Sequence, residues 1–248
     1  MNEVIEWDNQ NLTGIDIDHS PETKALLLKH NKIKVLPSKS FNVVPNLVLL
    51  SLKGNLLEKV SPDLFDPLKK LEILDLSENS IKNIPSGFLD KCPNLKELAL
   101  QQNEIKKIPS RFLDKCPNLE ILALYDNILQ KIPSGVLDKC PNLENLSLRD
   151  NIIQTIPSGF LDHCPKLKIL FLGDNEIKRL PPHFLEKSKK LETLDLSEND
   201  FFEVSLPIQL NRINFDLISD DLNKVIFYGP DDVPSAPLSN LVKRGRRF

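Results

Sequence analysis

The chain has 248 residues, with 32 Lys and Arg against 35 Asp and Glu, a formal charge of −3 and 40% hydrophobic residues. This balance argues against a general affinity for nucleic acid and describes an ordinary folded chain. No stretch reaches the ~18 consecutive apolar residues of a spanning helix, so no membrane span is expected.

Residues 1–22 do not share the pattern of the rest of the chain. Their start, Met1-Asn2-Glu3-Val4, has neither the basic region nor the apolar run of a signal peptide. Val4, Ile5, Trp7, Leu12, Ile15 and Ile17 supply the apolar residues of an N-terminal cap, expected as a short antiparallel hairpin with Trp7 as its plug. Asn11-Leu12-Thr13 and Asn145-Leu146-Ser147 match a glycosylation acceptor pattern. Both are read as chance, the second because it lies in a predicted strand.

From residue 23 to 204 one phrase recurs. It is written most fully as Ile84-Pro85-Ser86-Gly87-Phe88-Leu89-Asp90-Lys91-Cys92-Pro93-Asn94-Leu95, and returns from Ile108, Ile132 and Ile156. The other half reads L-x-x-L-x-L-x-x-N and places asparagines at 31, 55, 79, 103, 127, 151, 175 and 199, always 24 residues apart. Around Leu98-x-Leu100 the period is two, so Leu98 and Leu100 point inward while Ala99 and Gln101 point outward. Neighbouring copies then form a parallel sheet, and each asparagine satisfies backbone groups at the turn. In the return half Ile105 and Ile108 point inward, Pro109 breaks regular structure, and Phe112, Leu113 and Cys116 predict a short helical or 3₁₀ turn.

After Asn199 the period fails. Arg212–Ile218 and Lys224–Tyr228 alternate around a polar link and predict a β-hairpin cap over residues 205–229. Residues 230–248, ending Lys243-Arg244-Gly245-Arg246-Arg247-Phe248, are expected to form a flexible basic tail without a nucleic-acid role.

Self-similarity at this period resembles the leucine-rich repeat family, over residues 23–204 in eight copies. The resemblance implies an α/β repeat solenoid: a right-handed curved horseshoe with a parallel β-sheet on its concave face and short turns on its convex face. Extracellular members usually carry disulfide-bonded caps. Here the cysteines are Cys92, Cys116, Cys140 and Cys164, one in each of four successive copies, and neither cap contains any. A reducing, intracellular compartment is therefore expected. Stacking strings the four thiols in a line roughly 14 Å long, which cannot surround one zinc ion. They read as core residues.

No nucleophile, carboxylate pair or phosphate loop is assembled, so neither an enzyme nor a cofactor or small-molecule substrate is expected. The outward strand positions vary most between copies, and they carry the candidate partner-binding residues. Lys29, His30, Lys32 and Lys53 make the N-terminal end positive. Glu78, Asp126, Asp150 and Asp174 form an acidic row before the asparagines, continued by Glu198. Ile73, Tyr125, Arg149 and Phe171 supply apolar and aromatic contact, the last three as one patch.

The expected function is a monomeric protein-binding module that uses its concave face. The convex Asp-Lys pairs at Asp90-Lys91, Asp114-Lys115 and Asp138-Lys139 are the competing surface. Cysteine-poor arrays of this type also resemble effectors that intracellular bacteria deliver into the host cytosol, which would make the partner a host protein. The alternatives are an extracellular receptor-type domain, or an activity in residues 205–248.

Overall fold

The computed structural model describes residues 3–201, together with the backbone of 204–207 and 225–228. Nine three-residue strands form one parallel sheet in sequence order. They are β1 (Val4–Glu6), β2 (Ala25–Leu27), β3 (Leu49–Ser51), β4 (Ile73–Asp75), β5 (Glu97–Ala99), β6 (Ile121–Ala123), β7 (Asn145–Ser147), β8 (Ile169–Phe171) and β9 (Thr193–Asp195). From β2 onward each residue pairs with the one a repeat away, as Leu98 does with Leu122 and Leu122 with Leu146. The chain is a solenoid, and the exposed side of its sheet is the concave face.

Alternation within each strand decides the packing. Leu98 and Leu100 are buried while Ala99 and Gln101 are half-exposed; the inward leucines repeat in the other copies, whereas the outward positions are buried at Ser51, Ser77, Gly173 and Asp195. The return half lays a second wall over these leucines. Phe41, Phe65, Phe88 and Phe112 run through it with ring centroids 6.0, 5.9 and 5.6 Å apart. Each repeat thus buries its apolar residues against its two neighbours, and none could do so alone.

The asparagine ladder closes the backbone account. Asn127 Nδ2 donates to Leu124 O in its own repeat and to Leu100 O in the preceding one, at 3.1 and 3.0 Å. Its Oδ1 accepts from Ile105 N–H at 2.9 Å. Asn55, Asn79, Asn103, Asn151, Asn175 and Asn199 repeat this bridge. An amide side chain suits the position because it donates and accepts at once, where the chain leaves the sheet and has no ladder partner.

Three details differ from expectation. The N-terminal segment supplies one strand, β1, which runs parallel to β2 and is not half of an antiparallel hairpin. A parallel strand continues the existing hydrogen-bond register, so the cap is built as a partial repeat. Ile5, Trp7, Leu12, Ile15 and Ile17 pack on the core, and Asn31 donates to Trp7 O at 2.7 Å. The convex return is a run of turns, such as Asp90 N to Gly87 O and Cys92 N to Leu89 O, and contains no helix among the described residues. Proline at its start and a left-handed Gly87 (φ 78°) prevent helical propagation. At the C-terminal end, β10 (Val204–Pro207) pairs in parallel with β11 (Val225–Tyr228). The expected hairpin arm at 212–218 and the tail from 230 lie outside the described residues.

Candidate functional site

The concave face is built from the outward strand positions and the two residues that precede each asparagine. The acidic row has a backbone cause as well as a charge. His30, Glu78, Gln102, Asp126, Asp150, Asp174 and Glu198 all have left-handed φ between 48° and 55°, and Gly54 has φ 66° at the same position. Asp, His and Gly tolerate this region better than most residues, so the turn itself favours a short polar side chain there. The sequence signal for this was the Gly at position 54.

Arg149 is the centre of the most constrained part of the face. Its guanidinium lies 2.6 Å from Asp174, 3.4 Å from Asp150 and 3.5 Å from Asp195. Partial desolvation works against its charge, but Asp174, then Asp195 and Asp150, outweigh it and raise its pKa. Asp195, on β9, is the member that sequence reasoning missed. It is almost fully buried and accepts from Ser197 N–H at 3.0 Å and Ser197 Oγ at 2.6 Å. Its carboxylate fits because residue 173 is glycine: a Cβ there would stand 2.7 Å from Asp195 Oδ2. The Leu-Asp-Leu-Ser-Glu-Asn wording shared by residues 74–79 and 194–199 was the available signal. In the copy nearer the N-terminus Asp75 likewise accepts from Ser77.

Two lysines of the expected positive end meet carboxylates, while Lys32 is exposed and has no ion pair among the described residues. Lys53 Nζ lies 3.0 Å from Glu78, and that hydrogen bond first, with the charge of Glu78 and Asp75, raises its pKa despite partial desolvation. Lys29 Nζ lies 4.0 Å from Asp8 of the N-terminal segment, which also accepts from Lys29 N–H. The face is therefore predominantly acidic, with Asp126 exposed and without an ion pair among the described residues.

The apolar candidates are distributed differently from one continuous stripe. Ile73, Ile121 and Ile169 are half-buried and alternate with Glu97 and Asn145 across the sheet. Tyr125 and Arg149 occupy the same position in successive repeats, and Phe171 follows on β8; both aromatics are half-buried. The structure thus surrounds Arg149 with acids and sets an aromatic residue in the repeat on either side.

On the convex side the aspartates of the Asp-Lys pairs lie at the turns. Asp90 and Asp138 approach the positive-φ glycines Gly87 and Gly135, and Asp114 pairs with Arg111 at 3.3 Å. Beside them Asp114, Asp138 and Asp162 border a shallow hollow of about 500 Å³ with Pro117, Pro141 and Pro165. Cys92, Cys116, Cys140 and Cys164 are free and buried. Burial pushes Cys92, Cys116 and Cys164 up to about 12 and raises Cys140 as well, so none is a thiolate near neutral pH. No group of metal-ligating side chains occurs among the described residues, and no helix there is long and apolar enough to cross a membrane.

Comparison with known proteins agrees with this architecture. The leucine rich repeat family model matches residues 21–81, 69–129, 93–151 and 141–201. No curated protein matches the sequence. A leucine-rich repeat protein of Leptospira interrogans superposes on 97% of this chain with a TM-score of 0.75 at 24% identity. TLR13, solved as a TLR13–ssRNA13 complex, superposes on 84% of it with a TM-score of 0.67 at 27% identity. The chain spans 57% and 29% of those two structures. With repeats matched along residues 21–201 and the asparagine-laddered parallel sheet in place, the chain belongs to the leucine-rich repeat family.

Proposed function

We propose that the chain is a protein-binding module whose concave face receives a basic partner segment. The fold is one typically used for protein–protein interaction, and the observation that carries the finer reading is the acid-dominated face around Tyr125, Arg149 and Phe171. Asp126, Asp150, Asp174 and Glu198 supply its field, while the two aromatics supply rigid contact area. Arg149, already held by three carboxylates, orders the acids and is not a free cation seeking an anion. Such recognition needs no cofactor and no bond-making chemistry.

A crosslinking pull-down comparing wild type with Tyr125→Ala/Asp126→Asn/Phe171→Ala tests this reading. A hot-spot loss of about 2 kcal/mol at even one site weakens binding roughly 30-fold. A captured protein that survives the triple substitution would move the function to the convex hollow or to the C-terminal segment.

We also propose a reducing compartment, supported by cysteine-free caps and buried thiols, and delivery from a bacterium into host cytosol as its setting. A tagged copy that never leaves its native cell would end the delivery proposal.

A further inference from the structure

We propose that one flank of the solenoid is a docking face for an anionic phospholipid surface. After each ladder asparagine the chain places an inward Ile or Leu, two exposed residues, and a second inward apolar residue, as in Ile105-Lys106-Lys107-Ile108. Because the repeat never varies in length, the two exposed positions stack into two columns along the flank. The first column carries Lys34, Lys82, Lys106 and Lys178, interrupted by Glu58. The second carries Lys59, Lys107, Lys131 and Arg179, with no acid at all. In a chain whose overall charge is −3, this flank is strongly positive.

Of these charges only that of Lys82 meets a carboxylate among the described residues. Lys82 lies 3.8 Å from Glu58 and 4.0 Å from Glu104. The other basic residues of the two columns have no ion pair among the described residues; of the remaining acids beside them, Glu176 accepts from Gln154, and Asp200 is exposed at the C-terminal end. On the opposite flank the pattern is reversed: Lys96 is bound to Glu72 at 2.7 Å and Lys168 to Glu144 at 2.6 Å.

Exposed aliphatic residues share the basic flank. Val35 is 70% exposed, Leu56 42% and Ile128 37%, the two latter at the position directly after the asparagine. They are spread over several repeats, which suits shallow insertion at separate points better than one buried hot spot. No aromatic residue occupies either column, so the stacking platform that single-stranded nucleic acid uses is missing. Lysines on flexible stems, repeated over roughly 30 Å at strand spacing, match a sheet of phosphate headgroups. Docked this way, the protein keeps its acidic concave face open to a partner.

The test is co-sedimentation of the full chain with phosphatidylcholine vesicles, with and without phosphatidylserine. Wild type is expected to bind only the phosphatidylserine-containing vesicles, and to release as salt shortens the Debye length below ~10 Å. Lys59→Gln/Lys107→Gln/Lys131→Gln should keep the wild-type melting temperature and lose about 100-fold in partitioning, roughly fivefold per lysine. Val35→Asp/Leu56→Asp should weaken binding further.

Three outcomes would overturn the proposal. Wild type could ignore both vesicles. The flank variant could bind like wild type while Arg244→Gln/Arg246→Gln/Arg247→Gln does not, placing the attraction in the tail. Binding to polyglutamate without binding to vesicles would assign the flank to an acidic protein.

Discussion

The concave face and the basic flank carry opposite charge, and they differ as much in how that charge is held. On the concave face Lys53 is tied to Glu78, Lys29 to Asp8, and Arg149 to three carboxylates. On the flank, Lys59, Lys107 and Lys131 are exposed and have no ion pair among the described residues. Composition explains the contrast. In both regions equivalent residues stand about one strand spacing apart, so a side chain reaches its neighbours in the next repeats, as Lys82 reaches Glu58 and Glu104. The concave face offers carboxylates at those neighbouring positions, whereas the two flank columns hold only Glu58. Charge on the concave face is therefore partly structural, whereas on the flank, Lys82 apart, the basic residues of the two columns meet no carboxylate among the described residues.

The largest expected effect removes the scaffold beneath both faces. Leu98→Ala opens a cavity in a fully packed interior and should cost about 2–5 kcal/mol in urea unfolding. An unchanged midpoint would overturn the inward assignment. Asn127→Ala comes next. It strips the partner from Ile105 N–H and from the carbonyls of Leu100 and Leu124, at a cost of about 2–3 kcal/mol. Because the asparagine sits between strand and flank, vesicle binding and partner binding should both fall.

Smaller changes should separate the faces. Gly173→Ala drives a Cβ to 2.7 Å from the Asp195 carboxylate, so about 1–3 kcal/mol should be lost and the Arg149 Nε–H signal should shift in NMR spectra. The flank should not notice. Asp126→Asn keeps a residue that accepts the left-handed turn and removes an exposed charge. Stability should change by less than about 0.5 kcal/mol while partner binding weakens. If partner binding is untouched, the acidic row has only its backbone role.

The smallest effect concerns the opposite flank. The hydrogen bond from Lys168 holds the Glu144 carboxyl below its ordinary range. A lowered folded-state pKa contributes stability above the unfolded value, lost as pH falls through the folded one, so the small contribution of this exposed pair is present at neutral pH and disappears in acid. In a carboxyl NMR titration Lys168→Gln should return Glu144 to the ordinary range, with no resolvable change in melting temperature at neutral pH.

Much of this was legible in the residues. The period placed Leu98, Leu100, Ile105 and Cys116 in the interior and the asparagines at the turns, because burial alternates with period two in a strand and a buried amide has few other uses. The site was harder. Tyr125, Arg149 and Asp174 could be placed on one face, but Asp195 and Gly173 acquire meaning only as neighbours in adjacent repeats. The direction of β1 was misjudged because a short apolar segment has no period of its own. Its parallel direction follows from the open edge of β2, which offers a ready-made ladder. Of the two forms expected for the convex return, a helical or a 3₁₀ turn, the structure shows successive turns with bonds such as Asp90 N–H to Gly87 O and no helix among the described residues, in keeping with the left-handed glycines.

By itself the sequence determined the solenoid, its register and its interior, since an invariant 24-residue step permits only one stacking of like on like. Tertiary structure decided which charges remain free. Whether a lysine meets a carboxylate depends on side chains one or two repeats away and on the side of the coil from which each projects.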